Sequence, residues 1–527
     1  MQHPHRPSVP LLLVPLLALL VPMAPAAAQP TATVAEARQP APAKVTEQRV
    51  PAVHTKAAVA ELPEVGTSTF SLVGVTWKRG KDDADVDVSV RVRTGKTWAK
   101  WQQLEVDEDG GDVGRAGTEP LWVDKADGVA VRVRGHRPAD LRVTTVNAPA
   151  PAAQTLAADE APAADGSPTF TPKPAIRTRS SWGARPHTYC DKPQTGGTTK
   201  GVIVHHTAGS NSYSASQSAS IVRAIQAYHM NGRDWCDIGY NFLVDKYGQI
   251  FEGRFGGVDL TVRGAHAGNK SVNTDTMGVS MMGTFTSTMP SSDMQAAMVK
   301  LIGWRLGTFL QSRTGTFSSG GKTYKRISGH RNVVSTACPG TKAYGWLSAS
   351  GGLRDRVVAY ASSYSTPIST RAAELGSAFT GPTYRGERDR GSFHEIRMKY
   401  VDIYDHEGTG THYTRSYTRT EYRSRGEQSG PLGFPTTDRT HSTTGAMDVQ
   451  RFEHGSIYQV DRGNGVVQTP AMWGVIEQKY IELGEGKSAL GRPSKGMTPL
   501  SNGRFRVDFN NGSIYQNSDG SASVRLT

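Results

Sequence analysis

GVIVHHTAG, residues 201–209, sets Val202, Ile203 and Val204 in an unbroken apolar run that ends on two histidines. A short continuous run rich in β-branched residues predicts a buried strand. Helical and strand patterns follow it in turn. Ile221, Ile225 and Tyr228 have helical spacing within 215–229, and GYNFLVDKYGQIFEGR (239–254) predicts a hairpin turning at Lys246-Tyr247-Gly248. Met294, Met298, Leu301, Ile302, Leu306 and Phe309 predict a longer amphipathic helix over 292–312. Residues 170–364 therefore read as an α/β domain, a mixed β-sheet flanked by helices.

Toward the N-terminus the period changes to two. Val86, Val88, Val90 and Val92 alternate with Asp85, Asp87, Ser89 and Arg91, and Val129, Val131 and Val133 repeat the pattern. This predicts a small antiparallel β domain over 67–147. Its acidic run, Asp107-Glu108-Asp109 with Asp112, lacks a complete calcium-ligand spacing and reads as an exposed hairpin loop. An Ala- and Pro-rich linker, 148–169, joins the two domains. Residues 29–66, rich in Ala, Pro, Thr and Val without periodicity, read as a disordered leader.

The first residues set the compartment. A basic opening (His3, His5, Arg6) precedes VPLLLVPLLALLV (Val9 to Val21), and Ala26-Ala27-Ala28 supplies small residues for cleavage after Ala28. Residues 1–28 are expected to be a secretory signal. The apolar run is short for a membrane anchor and contains Pro10 and Pro15. No later segment is apolar enough to span a bilayer, so no transmembrane segment is expected after signal cleavage. The formal net charge of +13 suits a polyanion, whether nucleic acid, anionic lipid or an anionic cell-wall polymer, and export excludes nucleic acid.

Beyond 365 the chain repeats. Leu432-Gly433-Phe434-Pro435 recurs as Leu490-Gly491-Arg492-Pro493, and Phe452 to Gln459 recurs as Phe509 to Gln516 with GSIYQ intact. The offsets, 58 and 57, mark a duplicated module. A degraded copy around 371–425 does not align by sequence.

Chemistry concentrates in the central domain. His205 and His206 end the predicted strand, and His330 and Cys338 flank the loop GHRNVVSTACPG. Two imidazoles and a thiolate suit a tetrahedral zinc with its fourth position open to water. Bound zinc lowers the pKa of water to about 7. Spacing alone fits equally well with histidines that are merely exposed or hydrogen-bonded. The cysteine count is three (Cys190, Cys236, Cys338), and an odd count in an exported protein implies one pair and one thiol with another task.

Five ordered segments decide between these readings: RTRSSWGA (177–184), VIVHHTAG (202–209), WCDIGYNFLVD (235–245), GAHAGNKSVNTDTMGV (264–279) and GHRNVVSTACPG (329–340). Together they closely resemble the peptidoglycan recognition proteins and the type-2 N-acetylmuramoyl-L-alanine amidases, over about 170–364. The resemblance implies zinc bound by His205, His330 and Cys338. It implies a catalytic Tyr240, whose phenol hydrogen-bonds the attacking water or the developing oxyanion, and a catalytic Thr336, which orients the scissile carbonyl. It gives His266 a substrate-binding role in the groove. His206 points to the other strand face and is structural, as are His229 and Trp182. If Cys338 holds zinc, Cys190 and Cys236 remain to form a disulfide, a pairing the family does not supply. The terminal repeats resemble LGFP modules, which implies a wall-binding region at 365–527.

The expected function is therefore a secreted, cell-wall-associated zinc amidase. It would cleave the lactyl amide between N-acetylmuramic acid and L-alanine of bacterial peptidoglycan. The alternative is a peptidoglycan-binding protein without hydrolysis.

Overall fold

Gly201–His206 is a strand buried at every position. It runs parallel to Thr276–Met281 on one side and to Ile327–Gly329 on the other, so both its edges are paired. The structure is a computed structural model and describes residues 41–149, 171–187, 192–441 and 447–527, except 54, 56, 57, 82, 108–113 and 312. The signal segment, the leader up to residue 40, most of the linker and Cys190 lie outside the described residues.

The central sheet has six strands, in the order Ile176–Arg177, Ile250–Glu252, Phe242–Val244, Thr276–Met281, Gly201–His206, Ile327–Gly329. The hairpin falls where the sequence places it: Phe242–Val244 pairs antiparallel with Ile250–Glu252, and Gly248 N–H closes the turn onto the Asp245 carbonyl. The two expected helices are Ser218–Ala227 and Ser292–Thr308. The sheet's faces bury separate cores. Val202, Val204, Phe242 and Val244 pack with Met294, Met298, Leu301 and Ile302 of the long helix. Leu243 and Phe251 pack with Ile221, Val222 and Ile225 of the other helix.

The N-terminal sheet is antiparallel, with Lys44–Arg49, Arg142–Asn147, Ala60–Trp77, Leu121–Gly135, Val86–Thr94 and Thr97–Trp98 in that spatial order. Lys44–Arg49 and the first part of Ala60–Trp77, which were expected in a disordered leader, are therefore strands of this sheet. Lys44–Arg49 is an edge strand with no buried residue, so it shows no apolar alternation. Ala60–Trp77 is interrupted by register shifts between Leu62 and Val65, between Gly66 and Phe70, and between Phe70 and Leu72, which break the period of two.

This domain is fused to the central one. Leu72, Trp122, Val146 and Ala148 share a single core with Ile221, Ile225 and Tyr228. Tyr228 lies over Gly74, where a Cβ would stand 2.5 Å from the ring, and its hydroxyl donates to the Thr118 carbonyl at 2.8 Å. Asp107 was expected in an exposed loop. It is buried and pairs with the equally buried Arg233 at 2.6 Å, because the central domain supplies a cation that sequence distance hides.

The C-terminal region holds three small antiparallel sheets. Their strand pairs are Phe393–Met398 with Val401–His406, Met447–Arg451 with Gly455–Asp461, and Phe505–Phe509 with Gly512–Gln516. The copy that did not align by sequence is the first of these. Arg397 donates to Tyr404 Oη (2.6 Å) and to Glu427; Arg451 donates to Tyr458 Oη (3.0 Å) and to Glu485. Tyr422 and Tyr480, on the helices Ser416–Ser424 and Gly474–Glu482, donate to the carbonyls of Gly433 and Gly491. Each of these tyrosines also meets a phenylalanine of the next module, Phe452 or Phe509, with ring centroids 4.7 and 4.6 Å apart. No described helix is long and apolar enough to cross a membrane.

Candidate metal centre

The strand Gly201–His206 ends with its last two side chains on opposite faces. His205 faces the loop that carries His330 and Cys338. The ligand-capable atoms of these three residues lie within 4.8 Å of one another, and all three residues are buried. His205 Nδ1 stands 3.8 Å from Cys338 Sγ. Zinc at ordinary bond lengths to nitrogen and sulfur spaces two tetrahedral ligands by about 3.6 Å. The donor set, two borderline nitrogens and one soft sulfur, fits zinc in both size and chemistry.

The surroundings prepare these atoms for a cation. Burial first, and then the neighbouring His330, His266 and His206, hold the His205 pKa well below its ordinary value, so the ring is neutral. Burial likewise pushes His266 down to about 3. His205 Nε2 and His266 Nδ1 are 3.0 Å apart. For Nδ1 of His205 to bind a metal, Nε2 must carry the proton, and His266 Nδ1 stands where it can accept that hydrogen bond. The backbone N–H of His206 donates to Cys338 Sγ at 3.4 Å, a contact that favours thiolate.

The structure buries His266, the expected groove residue, and sets its ring edge-on to that of His205. Gly264 and Gly278 make the room, since a Cβ at either would come within 2.3 Å of the imidazole. Thr336 is half-buried between the exposed Ser335 and Ala337, and its Oγ1 accepts from Cys338 N–H at 3.2 Å. Arg331 fastens the same loop through the carbonyls of Ala337 and Cys338. The Tyr240 ring lies 5.4 Å from that of His205, centroid to centroid.

The remaining histidines have local partners. His206 reaches Glu105 of the N-terminal domain, Nε2 to Oε2 at 2.9 Å. His229 accepts from Gly239 N–H and packs on Trp235, and Trp182 donates to the Glu252 carbonyl. Cys338 takes no part in a disulfide; Cys190, the expected partner of Cys236, lies outside the described residues.

Sequence reasoning missed two carboxylates. Glu105 meets His206, and Glu119 Oε1 accepts from Tyr240 Oη at 2.8 Å. Both come from the β domain, more than eighty residues before the metal motifs. No motif marks them, and only the fold of the first domain against the second brings them here.

Comparisons with known proteins match three stretches of the chain. Residues 195–341 match the N-acetylmuramoyl-L-alanine amidase family, 25–165 match an N-terminal galactose-binding domain-like family, and 432–486 match the LGFP repeat. Peptidoglycan-recognition protein SC2 of Drosophila simulans is 38% identical over 172 residues, 32% of this chain and 82% of the relative. Peptidoglycan recognition protein 1 of Mus musculus is 32% identical over 170 residues, 32% of this chain and 84% of the relative. Among solved structures, wild-type Drosophila PGRP-LB is 28% identical across 33% of this chain and 92% of its own, with a TM-score of 0.28. The chain belongs to the peptidoglycan recognition protein and type-2 amidase family, and it carries LGFP repeats in its C-terminal region.

Proposed function

We propose that this protein is a secreted, cell-wall-associated zinc amidase that hydrolyses the lactyl amide between N-acetylmuramic acid and L-alanine of peptidoglycan. The observation that carries this reading is the buried triangle of His205, His330 and Cys338, with all three ligand atoms within 4.8 Å. A protein that only bound its ligand would not need a thiol and two imidazoles converging in this way.

Zinc, when bound by these three residues, would polarise the scissile carbonyl and make water acidic enough to attack at neutral pH. The chain's own residues do the rest. His266 orients His205 instead of touching substrate, and the His206 N–H holds the Cys338 sulfur as thiolate. Tyr240 stands beside His205, where its phenol meets the attacking water or the developing charge. Thr336, on the exposed rim of the ligand loop, orients the scissile carbonyl.

The catalytic unit spans 170–364 and the wall-binding region 365–527, with the N-terminal domain extended to include 41–66. The basic charge adds attraction to anionic wall polymers, and Cys190 pairs with Cys236. The deciding experiment measures bound zinc and, separately, free muropeptide release from purified peptidoglycan. One equivalent of zinc with specific cleavage of the lactyl amide is the expected result. Zinc without cleavage, or peptidoglycan binding without either, would leave the non-hydrolytic binder.

A further inference from the structure

The N-terminal domain places a carboxylate against Tyr240, one of the two catalytic side chains that do not bind metal. Tyr240 Oη donates to Glu119 Oε1 at 2.8 Å, and Tyr240 itself is 3% exposed. Glu119 is not a surface side chain that happens to reach across. It follows the strand Ala116–Thr118 directly, and its own N–H donates to the Glu105 carbonyl at 2.8 Å. Its predecessor Thr118 is buried, holds the Val75 N–H through Oγ1 and receives the Tyr228 hydroxyl on its carbonyl. The backbone that carries Glu119 is thus pinned from both domains.

The seam around it is built to stay closed. It combines a shared apolar core, the buried Arg233–Asp107 pair and reciprocal backbone contact: Arg115 N–H donates to the Arg233 carbonyl, and Arg233 Nε donates to the Arg115 carbonyl. A large apolar seam argues against a domain that swings free. The carboxylate is a fixture of the site, not a lid over it.

We propose that Glu119 is a positioning residue for the amidase reaction, acting through Tyr240, and that the N-terminal domain is thereby a structural part of the active site. This rests on the zinc amidase reading above. A phenol has a single proton to donate. With that proton committed to Glu119, the Tyr240 oxygen can only accept a further hydrogen bond. Of the two roles open to it, it therefore takes the one at the attacking water, accepting from it and aiming it. Stabilising the oxyanion, which needs a donor, falls to other groups.

The test uses the full chain with Glu119→Met, Glu119→Gln, Tyr240→Phe and the double variant Glu119→Met/Tyr240→Phe. Methionine keeps the length and loses the acceptor; glutamine keeps an acceptor oxygen. On a soluble muramyl peptide, Glu119→Met is expected to lower kcat by about tenfold or more with KM within about twofold, and Glu119→Gln to recover most of the loss. The double variant should be no slower than Tyr240→Phe alone, because the carboxylate acts only through the phenol. Equal losses in both backgrounds, or a rise in kcat from Glu119→Met as a blocking contact would give, would overturn the proposal.

A second readout needs no activity. In metal-free protein carrying 3-fluorotyrosine at position 240, Glu119→Met should move the fluorine resonance and Glu119→Gln should move it less. An unmoved resonance refutes the contact. A moved resonance in a wild-type protein that cleaves nothing would instead refute the amidase reading.

Discussion

The domain before the amidase unit and the repeats after it are joined to it by different physics. The N-terminal sheet shares a hydrophobic core with the helix Ser218–Ala227 and sends Glu105 and Glu119 to residues at the metal site. The repeats meet the unit at the end of the long helix, where Gly386 abuts Thr308 and Leu310 packs on the cluster of Ile368, Ala372 and Ile396. Their remaining apolar residues bury one another, module into module. The sequence marks the first unit by its strand period and the last by its repeats, and neither signal tells how the unit is joined. The packing does, bringing one neighbour to the candidate site and leaving the other at the end of the long helix.

The largest effect should come from the metal face itself, the reference for both neighbours. Cys338→Ala removes one of three protein ligands and should lower activity by at least about a thousandfold while abolishing stoichiometric zinc. The fold should survive, because the cores do not include the metal site. Metal analysis and circular dichroism on the same preparation check both halves, and amidase activity retained by a zinc-free variant would remove the assignment.

Next in size is the seam. Asp107→Ala leaves the buried Arg233 guanidinium without its carboxylate, a change that costs about 3–5 kcal/mol when one partner of a buried pair is lost. Thermal unfolding should show the N-terminal and central domains losing stability together. An unchanged melting profile would mean that the two are merely tethered, and the contrast drawn above would fail.

These two predictions also mark what the sequence could and could not convey. His205, His330 and Cys338 were legible because the chemistry needs specific residue types in short, fixed phrases, HHT, GHR and ACPG. The buried strand Gly201–His206 and the hairpin after Tyr240 were legible because apolar runs and turn residues are local signals. Glu119 was not, since an isolated glutamate before a proline looks like any turn, and its partner lies 121 positions away. Lys44–Arg49 was lost for a related reason: an edge strand with no buried residue leaves no pattern. The first repeat hid because the side chains that follow the second copy, Arg397, Tyr404, Tyr422 and Glu427, are scattered singly along the chain and form no contiguous motif. His266 stands in a recognisable motif, but the seating of its ring against His205 depends on the space left by the glycines at 264 and 278, which the motif does not convey.

That histidine gives a smaller and sharper effect. His266→Ala removes the acceptor on His205 Nε2 without touching a ligand atom, and outer partners of this kind are worth about 10–100-fold in metal affinity. Competition with a chelator measures it directly. A groove role would leave zinc affinity alone and raise KM, so the two assignments separate in one set of measurements.

The smallest effect on chemistry should come from the repeats. Ending the chain after residue 366 removes the modules and uncovers Leu310 and Thr308, but it leaves the metal residues, Tyr240, Glu119 and the N-terminal seam in place. Turnover of a small soluble muropeptide should change by less than about threefold, with a modest fall in melting temperature from the newly exposed apolar surface. Attachment to intact walls should fall much further. On the proposed reading it has two sources, a specific contact made by the repeats and attraction between the cationic chain and anionic wall polymers, and only the second is strongly screened by salt. At low ionic strength the truncated form should therefore retain part of its wall binding, and at high ionic strength it should lose it while the full chain holds on. Equal retention of both forms at every salt concentration would show that the repeats are not the anchor. A loss of soluble-substrate turnover as large as that from Cys338→Ala would show that they, like the N-terminal domain, belong to the site.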